Sequence, residues 1–318
     1  VPFTIALAGD TMLGRGVAEK LRRAGPRSVV GQDVRGLVAS ADLFVLNLEC
    51  CVSERGEPWP GRRYHFRAPP EAVETLTWLG VDAVTLANNH ALDYGPVALL
   101  DTARLLEQAG ITVVGAGADE ERARQPAVLE VGGSRVGILG FTDHPAEYAA
   151  GADRPGVAYA ENGEPGWVLD AVDSLRDRAD VVLVTPHWGP NMTTAPPLYV
   201  RYLAYALRAA GADLVAGHSA HVPHGVDDAV CFDLGDFVDD YAVDPRLRND
   251  LGLLFLVSVE DAQVTALRAV PLALDFCHTR IADPAEFRWM SRRIVTACAE
   301  LGTDAIELDG ALHVRWRS

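Results

Sequence analysis

Two carboxylates, one amide and three imidazoles stand at the ends of apolar runs in this chain: Asp10, Glu49, Asn89, His187, His218 and His221. Gly9-Asp10 closes the first run, Asn47-Leu48-Glu49 the second and Asn88-Asn89-His90 the third. Pro186-His187-Trp188-Gly189 and Gly217-His218-Ser219-Ala220-His221-Val222 close two more. Ligands of open α/β sheets bind beyond the carboxyl ends of strands, and five such ends with polar donors are difficult to obtain by chance. Oxygen and imidazole donors in this mixture suit Mn, Fe, Zn, Co or Ni. The lack of a thiolate argues against a structural zinc site. A carboxylate bridging two divalent ions holds them roughly 3.5–4 Å apart, the spacing of hydrolytic two-metal chemistry. Each signal alone has a plainer reading: Asp after Gly is often a turn residue, Asn88-Asn89 suits an Asx turn, and His187 beside Trp188 suits a packed core. Their conjunction selects a site for two divalent metal ions.

The elements that must position these residues alternate along the first two-thirds of the chain. Phe3–Ala8 reads as a strand, Val17–Ala24 as a helix and Leu43–Leu48 as a second strand. Pro69 and Pro70 open a helix to about Leu79, Val81–Leu86 returns as a strand, and Val97–Gln108 has helical spacing ended by Gly110. Ile111–Val114 precedes a hairpin, Ala127–Val131 and Arg135–Gly140, turned by Gly132-Gly133-Ser134. Val168–Arg178 and Leu198–Ala210 read as helices, Val181–Thr185 and Leu214–Ala216 as strands. The last third differs. Ala229–Leu234, Leu253–Glu260 and Val264–Leu272 form a meander, followed by a helix from Pro284 to about Leu301 with Asp283 as its N-cap. Ala305–Leu308 and Leu312–Trp316 flank Asp309-Gly310, a favoured hairpin turn. This is an α/β pattern of mixed sheets covered outside by helices. With no long polar linker, residues 1–318 are expected to form a single domain. The C-terminal meander and helix, about 225–318, are expected to complete its second sheet.

In its motifs the chain resembles the CapA family of poly-γ-glutamate capsule biosynthesis, which shares the fold of calcineurin-like metallophosphoesterases. The resemblance runs through Gly9-Asp10-Thr11-Met12-Leu13-Gly14-Arg15, Asn47-Leu48-Glu49, and Ala87-Asn88-Asn89-His90 with Asp93-Tyr94-Gly95. It continues through Gly140-Phe141-Thr142-Asp143, His187-Trp188-Gly189, Gly217-His218 with His221-Val222, and Leu234-Gly235-Asp236-Phe237, covering roughly residues 3 to 260. The resemblance implies a metallophosphatase-like αββα sandwich of two mixed sheets flanked by helices. It implies that Asp10 binds one metal, that Glu49 bridges both, and that Asn89 and His187 bind the second. His218 and His221 would complete the two spheres, one on each ion. His90 would face the substrate as general acid or as a donor to developing charge. The chain departs from the pattern at three places: Met12 stands where metallophosphoesterases carry His, Ser219-Ala220 replaces a His and Pro, and Asp236 replaces an Asn. His224 is an extra imidazole three residues past His221 and a further candidate for proton transfer. Arg15 and Arg67 are candidates for gripping an anionic group, since guanidinium holds carboxylate or phosphate bidentately. Asp143, His144 and Trp188 are candidate substrate contacts.

Composition narrows the partners. The 318 residues carry a formal net charge of -16, which repels phosphate backbones and argues against nucleic acid. Lys20 is the only lysine among the 28 basic residues. The longest uninterrupted apolar run, Leu253–Val257, is far short of the roughly 20 residues that a membrane span needs. Val1 stands in place of an initiator methionine, so a trimmed leader or anchor remains an expectation. The five cysteines form no metal pattern and no even disulfide framework, which suits small buried side chains in the cytoplasm. The expected partner is a small-molecule or peptide substrate, anionic in character. The leading expectation is a metal-dependent hydrolase acting on a phosphoester or a γ-glutamyl or peptide amide. A peptide or amino-acid epimerase working by Cα proton abstraction is the rival. A non-catalytic accessory protein of poly-γ-glutamate synthesis is the third reading.

Overall fold

Along Phe3–Thr11, alternate side chains enter different cores: Phe3, Ile5 and Leu7 join one buried cluster, Ala6 and Ala8 another. Leu43–Leu48 repeats the pattern, with Leu43 and Val45 on one side and Phe44 and Leu46 on the other. Successive side chains of a strand point to opposite faces, so strands of this kind must be covered on both. The computed structural model, which describes residues 1–161 and 166–315, shows how.

One sheet of ten strands runs in the order 304–308, 311–315, 263–275, 251–260, 3–11, 43–48, 83–85 and 112–114. Asp236–Val238 pairs with Phe3–Thr11 in addition, and His278–Ile281 with Gln263–Asp275. Phe3–Thr11 and the three strands on its far side are parallel, joined through helices as parallel pairing requires. Leu251–Glu260 and the strands beyond it are antiparallel. The second sheet has six strands in the order 226–227, 230–231, 214–216, 181–187, 134–142 and 127–131.

Three buried layers separate two sheets and two helical coats. The layer between the sheets contains Ile5, Leu7, Val45, Ile138, Leu183 and Phe255. Outside the first sheet, Val17, Leu21, Val34, Leu76 and Leu99 seal the helices onto Phe44 and Leu46. Outside the second, Val168, Val172, Val200 and Leu207 cover Leu139, Val182 and Val184. The expected αββα sandwich of two mixed sheets is therefore the observed one.

Several element readings hold and some change. Pro284–Leu301 is a helix with Asp283 in a full capping box with Glu286, as the sequence indicates. The helix expected from Pro69 begins at Ala72, because the two prolines and Glu71 make a turn first. Ala229–Leu234 keeps only Val230–Cys231 as strand. The C-terminal meander does not complete the second sheet as expected. It extends the first, since Leu251–Glu260 pairs with Phe3–Leu7. Among the described residues of that region, only Val226–Asp227 and Val230–Cys231 join the second sheet. Trp316, the expected end of the last strand, lies outside the described residues. All five cysteines are buried and unpaired, and no helix among the described residues is long and apolar enough to cross a membrane.

Candidate metal centre

The site is built from the carboxyl ends of the central strands of both sheets. Its first anchor is a bulge. The pairing of Phe3–Thr11 with Leu43–Leu48 slips between Ala8 and Asp10, and its pairing with Asp236–Val238 slips between Asp10 and Thr11. Bulges re-aim side chains. Gly9 is required here, because a Cβ would lie 1.7 Å from the Gly235 carbonyl oxygen, which accepts the Asp10 N–H at 2.9 Å. The result sets Asp10 directly beside Asp236 in register.

Asp10 is the hub. Asn47 Nδ2 donates to its Oδ1 at 2.6 Å and Ser219 N to its Oδ2 at 3.3 Å. His218 Nδ1 and His221 Nδ1 lie 3.5 and 3.4 Å from its two oxygens. Asn47 is itself held by Asn88 Nδ2 at 2.9 Å, and Asn88 Oδ1 accepts the His90 N–H at 3.0 Å. This amide relay ties three strand ends together. His187 and His218 are joined by a backbone bridge across neighbouring strands. Ser219 and His221 adopt positive φ of 112° and 59°, a strained backbone that concentrates at functional loops.

Asp10, Glu49, His221 and Asp236 each offer one donor atom within 4.8 Å of the others, all buried. Burial and the mutual repulsion of Asp10, Glu49 and Asp236 push the Glu49 carboxyl well above its usual range. Burial, then the neighbouring Asp239 and Asp10, does the same to Asp236. Burial works against protonation of His221, yet the facing carboxylates hold its pKa above normal. Such a cluster of buried acids calls for a cation.

Orphaned atoms mark the same place from a second direction. Buried polar atoms are normally hydrogen-bonded. Here Glu49 Oε1, Asn89 Oδ1, His187 Nε2, His218 Nδ1 and Asp236 Oδ2 are buried without a partner. His187 Nδ1 lies 3.4 Å from Asn47 Nδ2, and His218 Nε2 can donate to Thr185 Oγ1 at 3.0 Å, which leaves the His218 Nδ1 lone pair free. That arrangement presents one ring nitrogen inward. Burial lowers the pKa of both, His218 to about 4, which favours the uncharged ring that a metal would need. The residues present therefore fit divalent metal. Asp10, Glu49, His221 and Asp236 would hold one ion, with Glu49, Asn89, His187 and His218 available to another.

Two histidine–carboxylate pairs accompany the donors. His90 Nδ1 lies 2.6 Å from Asp93 Oδ2, and its ring stacks on Phe66 with centroids 4.0 Å apart. Asp93 also accepts from Phe66 N and from Tyr148 Oη at 3.1 Å. His144 Nδ1 bonds Asp143 Oδ1, while Gly189 N and Tyr199 Oη hold the other oxygen at 3.0 Å each. The His144 ring sits 5.2 Å from that of His187, centroid to centroid, so this pair is at the site as well.

Other expected residues are placed differently. Trp188 is buried in the outer layer of the second sheet and its indole donates to the Phe232 carbonyl at 2.9 Å, so it offers no wall to a substrate. His224 is also buried, with Nε2 against the Thr193 carbonyl at 3.0 Å, apart from the carboxylate cluster. Arg15 is committed to Asp240 at 3.0 Å. The Arg67 guanidinium stacks 4.0 Å over the Tyr94 ring. Met12 carries no donor to the site: its side chain is buried and its sulfur accepts the Gly14 N–H. Asp236, which the sequence shows only as a departure from a motif, supplies a donor instead. Tyr241, donating to Glu49 Oε2 at 3.1 Å, was not foreseen, nor was Arg62, whose guanidinium reaches the Asn89 carbonyl at 2.6 Å. Asp236 was legible as one more carboxylate after a glycine; Tyr241 and Arg62 had no local signal.

Comparison with known proteins supplies the family. Residues 4–241 match the family model for the bacterial capsule synthesis protein PGA_cap. The chain is 31% identical to a "Probable polyglutamine synthesis accessory protein" of Mycobacterium tuberculosis, over 92% of this chain and 90% of that one. It is also 31% identical to the "Capsule biosynthesis protein CapA" of Bacillus anthracis, over 85% of this chain and 67% of that one. A hypothetical protein from Thermus thermophilus of known structure shares the fold, with a TM-score of 0.52 at 19% identity, covering 86% of this chain and all of that one. By its motifs, its fold and these matches, the chain belongs to the bacterial capsule synthesis PGA_cap family, the family of CapA.

Proposed function

We propose that this chain is a dinuclear metal-dependent hydrolase acting on a phosphoester or a γ-glutamyl or peptide amide. One observation carries the reading: Glu49, His187, His218 and Asp236, which pack around Asp10 from strand ends of both sheets, each keep a buried donor atom without a partner, as does Asn89, next to the Asn88 that is tied into the same network. Two divalent ions held there would supply Lewis-acid polarisation of the substrate and of the attacking water.

The chain's own residues provide the rest. Glu49 is the carboxylate available to both ions. Asn47 and Ser219 fix the orientation of Asp10 through its two oxygens. His90 is positioned by Asp93, which also counters the effect of burial on its charged form, and as the imidazolium its Nε2 can give a proton to a leaving oxygen or nitrogen. Phe66 covers one face of the His90 ring and keeps water from it.

A second reading, metal-assisted proton abstraction at Cα, is favoured by the His144–Asp143 pair, because epimerisation uses two proton positions where hydrolysis uses one. Elemental analysis of the purified protein, with a turnover screen of phosphoesters, γ-glutamyl amides and peptides, tests the proposal. Two divalent ions per chain, and cleavage that is lost in Asp10→Asn and on metal stripping, are expected. Deuterium uptake at Cα without cleavage moves the assignment to epimerisation. No turnover of any class by the metal-loaded protein overturns both, in favour of an accessory role.

A further inference from the structure

Between the short strands Cys51–Val52 and Arg67–Ala68 the chain forms a strap that lies against the His90–Asp93 pair. Trp59 N donates to the Asp93 carbonyl at 2.8 Å, and Phe66 N to the Asp93 carboxylate at 2.7 Å. The Trp59 ring meets that of Tyr148 edge-on at 5.0 Å. Gly61 turns the strap with a φ of 78°, which glycine adopts without steric cost, and Arg62 follows at once. Arg62 Nη2 donates to the Asn89 carbonyl at 2.6 Å, and its guanidinium lies 5.0 Å from the Tyr148 ring centroid. Burial first, and the Arg62 charge after it, works against the protonated His90 ring, so the two side chains are within electrostatic reach.

The two arginines that the sequence offers for gripping an anion are committed elsewhere, Arg15 to Asp240 and Arg67 to the Tyr94 ring. Arg62 is not. In a chain of 44 acidic and 28 basic residues, it makes no ion pair among the described residues. Asp93 is taken up by His90, the Phe66 N–H and the Tyr148 hydroxyl, and the neighbouring Glu147 is exposed and does not pair with it. One carbonyl satisfies one of the five N–H groups of a guanidinium, and an aromatic contact uses its face rather than its edge. We propose that Arg62 is a specificity-determining residue of this site, pairing with an oxyanion carried by the leaving part of the substrate. Its placement follows from His90: the proton donor stands where the leaving atom departs, and Arg62 is anchored to the residue just before it. That placement rests on the hydrolytic reading above, whereas the preference for an anion does not.

Binding rather than turnover tests the residue, so that its failure and the failure of hydrolysis are read separately. The whole chain in excess Mn is titrated calorimetrically with 3-hydroxybenzoate and with 3-hydroxybenzamide, leaving-group analogues that share a phenol and differ in one charge. A third arm, 3-hydroxyphenylphosphonate, distinguishes a phosphoryl from a carboxylate group. The parent should bind one of the two anions about tenfold or more tightly than the amide. Arg62→Gln should bring that ratio to within about twofold, and Arg62→Lys should keep part of it, because it retains the charge without the fork. Mn affinity and thermal melt should match the parent in both. Equal binding of anion and amide by the parent, or a preference that survives in Arg62→Gln, overturns the proposal. So does weakened Mn binding in both variants, which would mark Arg62 as a strut for Asn89.

Discussion

At Asp236 the chain carries a carboxyl where the family motif is expected to hold an amide, and the exchange adds an ionisable group beside Asp10. On the proposed two-ion site, Asp236→Asn should therefore weaken one ion by about 10–100-fold while the other is retained, read as a split two-site isotherm with Mn. An isotherm identical to the parent's would remove Asp236 from the donor set. His224 invites a prediction about pH. Burial lowers its pKa to about 4, below the usual value of 6.5, so the unfolded chain binds its proton more readily than the native one. Its neutral form contributes stability that is fully present above pH 6.5 and is lost as pH falls toward 4, up to roughly 3 kcal/mol. His224→Gln should flatten that limb, measured as urea midpoints at pH 4.5 and 7. Five of the six residues read first from the sequence, Asp10, Glu49, His187, His218 and His221, come together because each lies in the last residues of a strand or in the loop that follows it. Tyr241 and Arg62 were not legible, since they arrive from loops that only tertiary packing places.

Elements decide whether those residues meet. Gly9→Ala drives a Cβ onto the Gly235 carbonyl, so the bulge must open. A loss of about 3 kcal/mol in denaturant unfolding is expected, together with weaker metal binding, because the bulge aims Asp10. Asp283→Ala serves as the contrast. It removes the capping box of the Pro284–Leu301 helix and should cost about 1 kcal/mol, with metal content unchanged. That helix was legible to the residue because Asp, Pro and Glu fall at cap positions that act locally. His278–Ile281 was not read as a strand: four residues with one apolar member show no alternation, and the strand exists through its pairing with Gln263–Asp275.

For the whole molecule, the alternation of apolar positions made two covered sheets legible, but strand order was not. Whether Leu251–Glu260 joins the first or second sheet depends on partners some 250 residues away, and no short window contains that information. The buried acids predict that metal and stability are linked. Stripping divalent ions should lower the melting temperature, by about 5 °C for a single site held at 100 times its Kd, and adding metal back should restore it. The donors of the acidic cluster come from positions 10, 49, 221 and 236. They share a space only after the first strand has been sandwiched between Leu43–Leu48 and the Asp236–Val238 segment. A chain refolding from denaturant thus has nothing to coordinate until its two most distant thirds have closed on each other. The rate of ion uptake during refolding would then clock the last topological event of folding, and an ion already in place would act as a latch that slows the chain's reopening.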